Sequence, residues 1–310
     1  MLLAAVLAAV LVIVGAPAGA AGTVGAKSML RLGVTTPGGP LASAEIAEVA
    51  QLAGEQPSIE MWFEDFTQPA PLAKLDAVVS RGATPVLTWE PWEWNAGPDQ
   101  PRFALDRISA GDFDDYITGW AIALQAWGQP LYLRFGHEMN GSWYPWAEGV
   151  NGNGSGDYVT AWRHVHDIFT RVGADNVAWM WCANVPYQGS TPLSGLYPGA
   201  RYVDAVALDG YNFGASQPWS SWVAPQDLFG AGLSQLRTIA PRKPIVIAET
   251  ASTEIGGSKP AWITALVPYL AGQSGVIGFV WFQHDKETDW RFSSSDAAGA
   301  AFAQALAARR

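Results

Sequence analysis

The hydrophobic positions of this chain form eight short runs that are almost continuously apolar. The run Val276–Trp281, for example, reads Val-Ile-Gly-Phe-Val-Trp and shows no alternation with polar residues. Such runs are typical of parallel strands that are buried on both faces of a sheet. The predicted strands are Met29–Val34, Ser58–Trp62, Thr84–Trp89, Pro130–Phe135, Asn176–Cys182, Val203–Leu208, Pro244–Ala248 and Gly275–Phe282.

Helical patterns separate these strands, and they begin at Ser, Asp or Pro, residues that favour a helix start. The predicted helices are Ser43–Ala53, Pro71–Arg81, Asp112–Trp127, Asp157–Val172, Pro225–Ile239, Pro260–Leu270 and Asp296–Ala308. The segment Ala183–Arg201 is rich in Pro and Gly, so only a short helix is expected there.

Eight β–α units without a repeat period or a linker predict a single (β/α)8 TIM barrel. The alternative is a doubly wound open sheet, which needs a glycine-rich first loop when it binds a nucleotide. The first loop, Val34–Gly39, lacks the G-x-G-x-x-G spacing. The barrel is therefore the predicted fold.

The first residues are apolar enough to belong to a targeting segment. Leu2–Val14 is an unbroken apolar run, and small residues follow it as far as Ala21. This pattern predicts a signal peptide over residues 1–21 and a secreted or extracytoplasmic protein, with an uncleaved membrane anchor as the alternative. The barrel itself is assigned to residues 28–310.

Charge and cysteine content narrow the possible partners. The chain carries 18 basic and 28 acidic residues and a net charge of −10, which repels nucleic acid and anionic membranes. Cys182 is the single cysteine, so an internal disulfide and a thiolate metal cluster are both excluded. We expect a monomer that needs neither a metal nor a cofactor.

In a TIM barrel the active site lies at the carboxyl ends of the strands. Polar residues at or just after these ends include Glu90, Arg134, His137, Glu138, Asp209, Tyr211 and Glu249, and aromatic ones include Trp89, Trp143, Trp146 and Trp281. The chain has 16 tryptophans, whose flat apolar faces suit stacking on sugar rings. Carboxylates beside tryptophans at one end of a barrel predict a carbohydrate cleft.

Glu138 and Glu249 follow predicted strands four and seven, whose ends face the same central cup. Hydrolysis of a glycoside with retention uses two carboxyl groups about 5–5.5 Å apart, one protonated and one ionised. Alternatively, each glutamate caps a helix or pairs with an arginine. The presence of both among so many tryptophans favours catalysis.

Residues Arg134–Trp146 read Arg-Phe-Gly-His-Glu-Met-Asn-Gly-Ser-Trp-Tyr-Pro-Trp, and this stretch resembles glycoside hydrolase family 26. Members of that family are retaining barrel glycosidases with catalytic glutamates on strands four and seven. Shorter matches at Asp209–Asn212 and Ile247–Thr250 follow in the expected order, and Trp281-Phe282 is a further weak match.

The resemblance implies a role for each matching residue. Glu138 would be the general acid/base and Glu249 the nucleophile. Tyr211 would hydrogen-bond the nucleophile, while His137 and Arg134 would orient the pair. Trp143 and Trp281 would stack on sugars beside the scissile bond. The other expected substrate-binding residues are Trp89, Glu90, Asn140, Trp146 and Asp209.

The sequence departs from the family pattern at strand three, where mannanases of the family tend to place a histidine and this chain has Glu90 within Thr88–Trp94. The loop Lys286–Arg291 after strand eight either contacts substrate or pairs with itself.

The predicted function is that of a secreted, endo-acting, retaining β-glycanase, with β-1,4-mannan as the first expected substrate. A mixed-linkage β-glucan or an exopolysaccharide is the alternative within the same chemistry. A non-catalytic glycan-binding barrel is the alternative from another class.

Overall fold

Eight parallel strands close into a barrel in chain order, with the last strand paired to the first. The computed structural model describes residues 29–309, so the predicted signal peptide over residues 1–21 lies outside the described residues. The strands are β1 Arg31–Thr35, β2 Ile59–Asp65, β3 Thr84–Glu90, β4 Leu131–Phe135, β5 Val177–Asn184, β6 Ala205–Asn212, β7 Ile245–Ser252 and β8 Val276–Phe282. The predicted TIM barrel is confirmed.

Helices surround the barrel and connect its strands. They are α1 Ser43–Ala53, α2 Leu72–Ser80, α3 Leu105–Ala110, α4 Asp114–Trp127, α5 Asp157–Val172, α6 Leu193–Leu196, α7 Pro225–Ile239, α8 Lys259–Gly272 and α9 Asp296–Ala308. Short 3-10 turns span Gly39–Leu41, Pro101–Phe103 and Ala200–Tyr202. The short helix expected between β5 and β6 is α6, whereas α3 was not predicted.

The continuous apolar runs arise because each strand contributes to two apolar layers. Met61, Val86, Met180, Val246 and Val280 belong to one cluster, which fills the interior of the barrel. The residues next to them along each strand point the other way and pack against the helices, since successive strand side chains alternate between faces.

Strands β6 and β7 extend about four residues beyond their apolar parts, into polar sequence at the open end of the barrel. An irregularity between Leu208 and Asp209 shifts the pairing of the two strands there. As a result, Asp209 lies in register with Glu249. This pairing brings two acidic side chains to neighbouring positions at the rim.

The other end of the barrel joins the first and last parts of the described chain. Arg309, just after α9, donates a hydrogen bond of 2.7 Å from Nε to the carbonyl of Leu30, just before β1. Its guanidinium also forms an ion pair with Glu55. Within residues 29–309, no helix combines the length and apolar character that crossing a membrane requires.

Candidate active site

A fully buried arginine forms the floor of the cup at the open end of the barrel. Arg134, on β4, donates hydrogen bonds to Thr88 Oγ1 at 2.8 Å and to Asp209 Oδ2 at 2.6 Å. It also forms an ion pair with Glu249. A buried charge is costly unless it is paired and hydrogen-bonded, and here two carboxylates supply the pairing. Arg134 therefore links β3, β4, β6 and β7 beneath the cup.

Glu249 is held by donors on both oxygens. Its Oε1 accepts from Arg134, and its Oε2 accepts from the hydroxyl of Tyr211 on β6. Hydrogen bonds from a guanidinium and a phenol stabilise an ionised carboxylate. The two hydrogen bonds hold the carboxyl group of Glu249 in one orientation.

An unusual backbone turn presents Glu138. After β4, Gly136 and Glu138 adopt left-handed conformations, with φ of 49° and 53°. For a non-glycine residue this conformation costs about 1–3 kcal/mol and tends to persist at functional sites. The amide of Glu138 donates to the carbonyl of Cys182 at 2.9 Å, which secures the turn against β5.

The carboxyl group of Glu138 lies in a mostly apolar setting with two neutral donors. Trp143 Nε1 donates to Oε2 at 2.7 Å, and Asn184 Nδ2 donates to Oε1 at 3.0 Å. Burial, followed by the negative charge of Glu249, raises the pKa of Glu138 from an ordinary 4.5 to about 7. Near pH 7 Glu138 is therefore about half protonated, so it can both give and take a proton.

His137 lies between two carboxylates. Its Nε2 is 3.9 Å from Glu249 Oε1 and 3.2 Å from the hydroxyl of Tyr144, and its Nδ1 is 4.0 Å from Glu90 Oε1. Burial, together with the charge of Arg134, lowers the pKa of His137 well below its usual range. We therefore describe it as a neutral hydrogen-bonding residue.

Ligand atoms of His137, Asp209 and Glu249 lie within 4.8 Å of one another, a spacing that would suit a metal ion. Both carboxylates, however, are paired with the guanidinium of Arg134. A cation placed among them would be repelled by that charge, so this donor set does not favour a metal site.

Glu90, at the tip of β3, also faces the cup. Its Oε2 accepts hydrogen bonds from Trp92 Nε1 at 3.3 Å and Trp94 Nε1 at 2.5 Å. Burial raises the pKa of Glu90 from 4.5 to about 7, against the opposing effect of the two indoles. Trp94 itself remains 39% exposed.

Three predicted substrate-binding tryptophans are fully buried instead, and these predictions are wrong. Trp89 stacks on Trp120 of α4, with ring centroids 4.4 Å apart, and Trp281 packs against Phe302 of α9. Both follow strand alternation, since their neighbours along the strand face the barrel interior. Trp146 is buried because its loop folds back and its Nε1 donates to His137 O at 2.6 Å.

Asn140 is likewise not free to bind substrate. Its Nδ2 donates to Asn184 O at 2.9 Å, and its Oδ1 accepts from Asn184 N at the same distance. These two hydrogen bonds join the loop after β4 to the end of β5. It thereby sets the position of Asn184, whose side chain contacts Glu138.

Two exposed aromatic residues border the site on its β5 side. Trp143, which was predicted, stacks on Tyr187, which was not, with ring centroids 5.9 Å apart. Tyr187 lies in the Pro/Gly-rich connection after β5, where no periodic pattern signals a site. Its proximity to the cleft could only be inferred once the turn carrying Trp143 was known.

The loop after β8 is paired within itself and packs against the site. Asp289 and Arg291 form an ion pair at 2.6 Å, and the ring of Trp290 packs 5.0 Å from that of Tyr211. Lys259, fully buried at the start of α8, donates to Asp289 O at 3.0 Å and Ser294 Oγ at 2.9 Å. The loop supports the tyrosine that holds Glu249.

Known proteins are similar to this chain in sequence and in fold. Residues 70–231 match the family model of glycosyl hydrolase family 26. Endoglucanase H of Acetivibrio thermocellus is 43% identical over 252 residues, which cover 80% of this chain and 27% of that protein. The chain belongs to glycosyl hydrolase family 26. This family 26 hydrolase thus spans about a quarter of the length of that relative.

Other relatives are named as mannosidases and as beta-1,3-xylanases. The mannan endo-1,4-beta-mannosidase A and B of Caldalkalibacillus mannanilyticus is 39% identical over 106 residues, covering 33% of this chain and 20% of that protein. A solved structure of a beta-mannanase of the same family from Bacteroides ovatus superposes with a TM-score of 0.65 at 17% identity, covering 90% of this family 26 hydrolase and 88% of that chain. The structural likeness supports the fold.

Proposed function

We propose that this hydrolase is a secreted, endo-acting β-glucanase that works with retention, using Glu138 as general acid/base and Glu249 as nucleophile. The observation that carries the proposal is the contrast between the two glutamates. Glu249 accepts hydrogen bonds from Arg134 and Tyr211, whereas the pKa of Glu138 is raised to about 7 by burial and by the charge of Glu249.

The first step forms a covalent intermediate. A carboxylate oxygen of Glu249 attacks the anomeric carbon while the bond from that carbon to the leaving oxygen breaks. Glu138 gives its proton to the leaving oxygen. In the second step a water oxygen attacks the anomeric carbon, Glu138 takes a proton from that water, and Glu249 leaves as a carboxylate. Two inversions restore the original configuration.

Electrostatic coupling lets Glu138 change its role between the steps. The negative charge of Glu249 is one of the two causes that raise the pKa of Glu138. Because the covalent intermediate is an ester, that charge is absent in it. The pKa of Glu138 then falls, which suits a base that must accept a proton from water.

The comparisons support glucan ahead of mannan. The relative named as an endoglucanase matches most of the chain, whereas the named mannosidase matches a third of it. Glu90 at the tip of β3 is a further departure from the mannanase pattern. Mannan is the second candidate, supported by the mannosidase relatives. Secretion is supported by the apolar segment Leu2–Val14.

The test is a screen of the purified protein against lichenan, barley β-glucan, mannan and galactomannan, with products separated by chromatography. Glu138→Ala and Glu249→Ala should each abolish cleavage of the polysaccharide that the wild type accepts. With an activated aryl oligosaccharide and azide, Glu138→Ala should release the β-glycosyl azide, and Glu249→Ala the α-glycosyl azide.

These products separate the roles, because azide replaces the group that was removed. A swap of the two azide configurations would reverse the assignment, and turnover by Glu249→Ala without azide would remove Glu249 as the nucleophile. Binding of polysaccharide by a wild type that cleaves nothing would instead support a glycan-binding barrel.

A further inference from the structure

The loop after β3 carries an exposed tryptophan, Trp94, although the loop itself is held by several hydrogen bonds. Trp94 N donates to Asp65 Oδ2 at 3.2 Å, and the backbone N and O of Glu93 are both hydrogen-bonded by the side chain of Gln100. Gln100 is in turn held by Asn151 of the loop after β4, through bonds of 2.8 and 2.9 Å. Trp94 is therefore exposed on a loop whose backbone is held in place by hydrogen bonds.

The indole of Trp94 is also fixed in orientation. Its Nε1 donates to Glu90 Oε2 at 2.5 Å, which fixes the ring while 39% of the residue stays exposed. The next residue, Asn95, has a left-handed backbone with φ of 66°. A loop held by these hydrogen bonds presents the indole to a ligand without the entropic cost of ordering it on binding.

The other oxygen of Glu90 lies near an unpaired nitrogen of His137. Glu90 Oε1 lies 4.0 Å from Nδ1 of His137, which is buried and has no hydrogen-bond partner within residues 29–309. Buried polar atoms are normally satisfied, so the unpaired Nδ1 of His137 next to a cleft indicates a missing ligand group. A hydroxyl placed beside both atoms would hydrogen-bond to them.

This group lies next to the reaction centre. His137 separates Glu90 from Glu249, with Nε2 at 3.9 Å from the latter. A ring bound over Trp94 and Glu90 is therefore adjacent to the ring attacked by Glu249. Trp143 and Tyr187 lie on the β5 side of Glu138, so Trp94 marks the other side of the cleft, over β2 and β3.

We propose that Trp94 and Glu90 form a sugar subsite on the β2–β3 side of the cleft. The indole face carries a neutral pyranose ring of the β-linked chain, and Glu90 Oε1 and His137 Nδ1 bind one of its hydroxyls. This proposal rests on the proposed glycanase function, and it adds a residue, Trp94, that decides which bond of the chain is placed over Glu249.

The experiment compares Trp94→Ala, Trp94→Phe and Glu90→Gln with Trp127→Phe as the matched control. Trp127 is a partly exposed tryptophan at the end of α4, bonded to Asp76 on the far side of the barrel from the cleft. The probes are end-labelled hexasaccharides prepared from lichenan and from mannan. The readouts are kcat/KM and the position of the bond that is cut.

Trp94→Ala should lower kcat/KM about tenfold and shift the cleavage position along the hexasaccharide, since losing one subsite changes the favoured binding register. Trp94→Phe should recover part of the loss, because a phenyl ring still stacks. Glu90→Gln should show a smaller shift in the same direction, and Trp127→Phe should match the wild type.

Two results would overturn the subsite. One is a cleavage pattern for Trp94→Ala identical to that of Trp127→Phe. The other is a uniform loss of rate with an unchanged pattern, which would make the indole a structural support only.

Calorimetry with the inactive Glu249→Ala protein tests binding without turnover, so failure of the proposed activity is distinguished from failure of the subsite. Adding Trp94→Ala to that protein should weaken hexasaccharide binding about tenfold. Unchanged affinity in the double variant would contradict the proposal even if the wild type proves inactive.

Discussion

Replacing Glu138 by glutamine should stabilise the folded protein at alkaline pH. The folded-state pKa of about 7 lies above the ordinary 4.5, so the native chain holds a proton between these values that the unfolded chain has released. Wild-type stability therefore falls as pH rises through this window. A difference of about 2.5 pKa units corresponds to about 3 kcal/mol, which is fully lost above about pH 7. Glutamine carries no such penalty.

The assay is urea unfolding of both proteins at about pH 5 and about pH 8. Near the lower pH the variant should be somewhat less stable than the wild type, because its amide NH2 cannot accept the hydrogen bond that Trp143 or Asn184 donates to a carboxyl oxygen. Between the lower and the upper pH the variant should gain about 3 kcal/mol relative to the wild type. Asp115→Asn, which removes an exposed carboxylate of α4, is the control.

A difference between Glu138→Gln and wild type that stays constant across this pH range would refute the reasoning. It would mean that burial and the charge of Glu249 do not keep Glu138 protonated. The acid role would then lose its physical basis, whatever the effect of the substitution on turnover.

Two further substitutions test the supports of the site. Asn140→Ala should lower the free energy of unfolding by about 2 kcal/mol, because it leaves the backbone N and O of Asn184 without their side-chain partner. It should also reduce kcat, because Asn184 then shifts away from Glu138. Unfolding and steady-state kinetics measure these effects, and an unchanged kcat would show that Asn140 does not position the acid. Lys259→Met should cost about 3 kcal/mol, because it removes the donor that binds the carbonyls of Asp289 and Arg291 and the hydroxyl of Ser294. It should also lower activity through Tyr211, and unaltered unfolding would show that the ammonium does not hold that loop.

Much of the fold follows from the apolar pattern alone. All eight strands were predicted, because strands buried on both faces leave an unmistakable run of apolar residues. Strands β6 and β7 are longer than predicted, since their ends at Asn212 and Ser252 are polar and pair without an apolar signal. The helix α3 was missed because Leu105–Ala110 is too short to show a helical period.

The prediction of the site was limited by the direction in which the side chains of each strand point. Arg134 and Glu249 face the cup and pair with each other, whereas Glu64, at the end of β2, pairs with Lys74 of the surrounding helix α2. Trp89 and Trp281 suit either face, and only strict alternation from Thr88 and Val280 would have placed them outside. The role of Asn140 depends on a contact with β5 that no local pattern encodes.

The contact between Arg309 and Leu30 has a practical consequence. It holds these two positions a hydrogen bond apart, on the face of the barrel turned away from the cleft. A short peptide bridge there, with new ends opened in a surface loop, would produce a circular permutant whose strand pairing is unchanged. Tethers or fused modules attached at this face would likewise stay clear of an incoming polymer, which makes it the natural place to immobilise the enzyme.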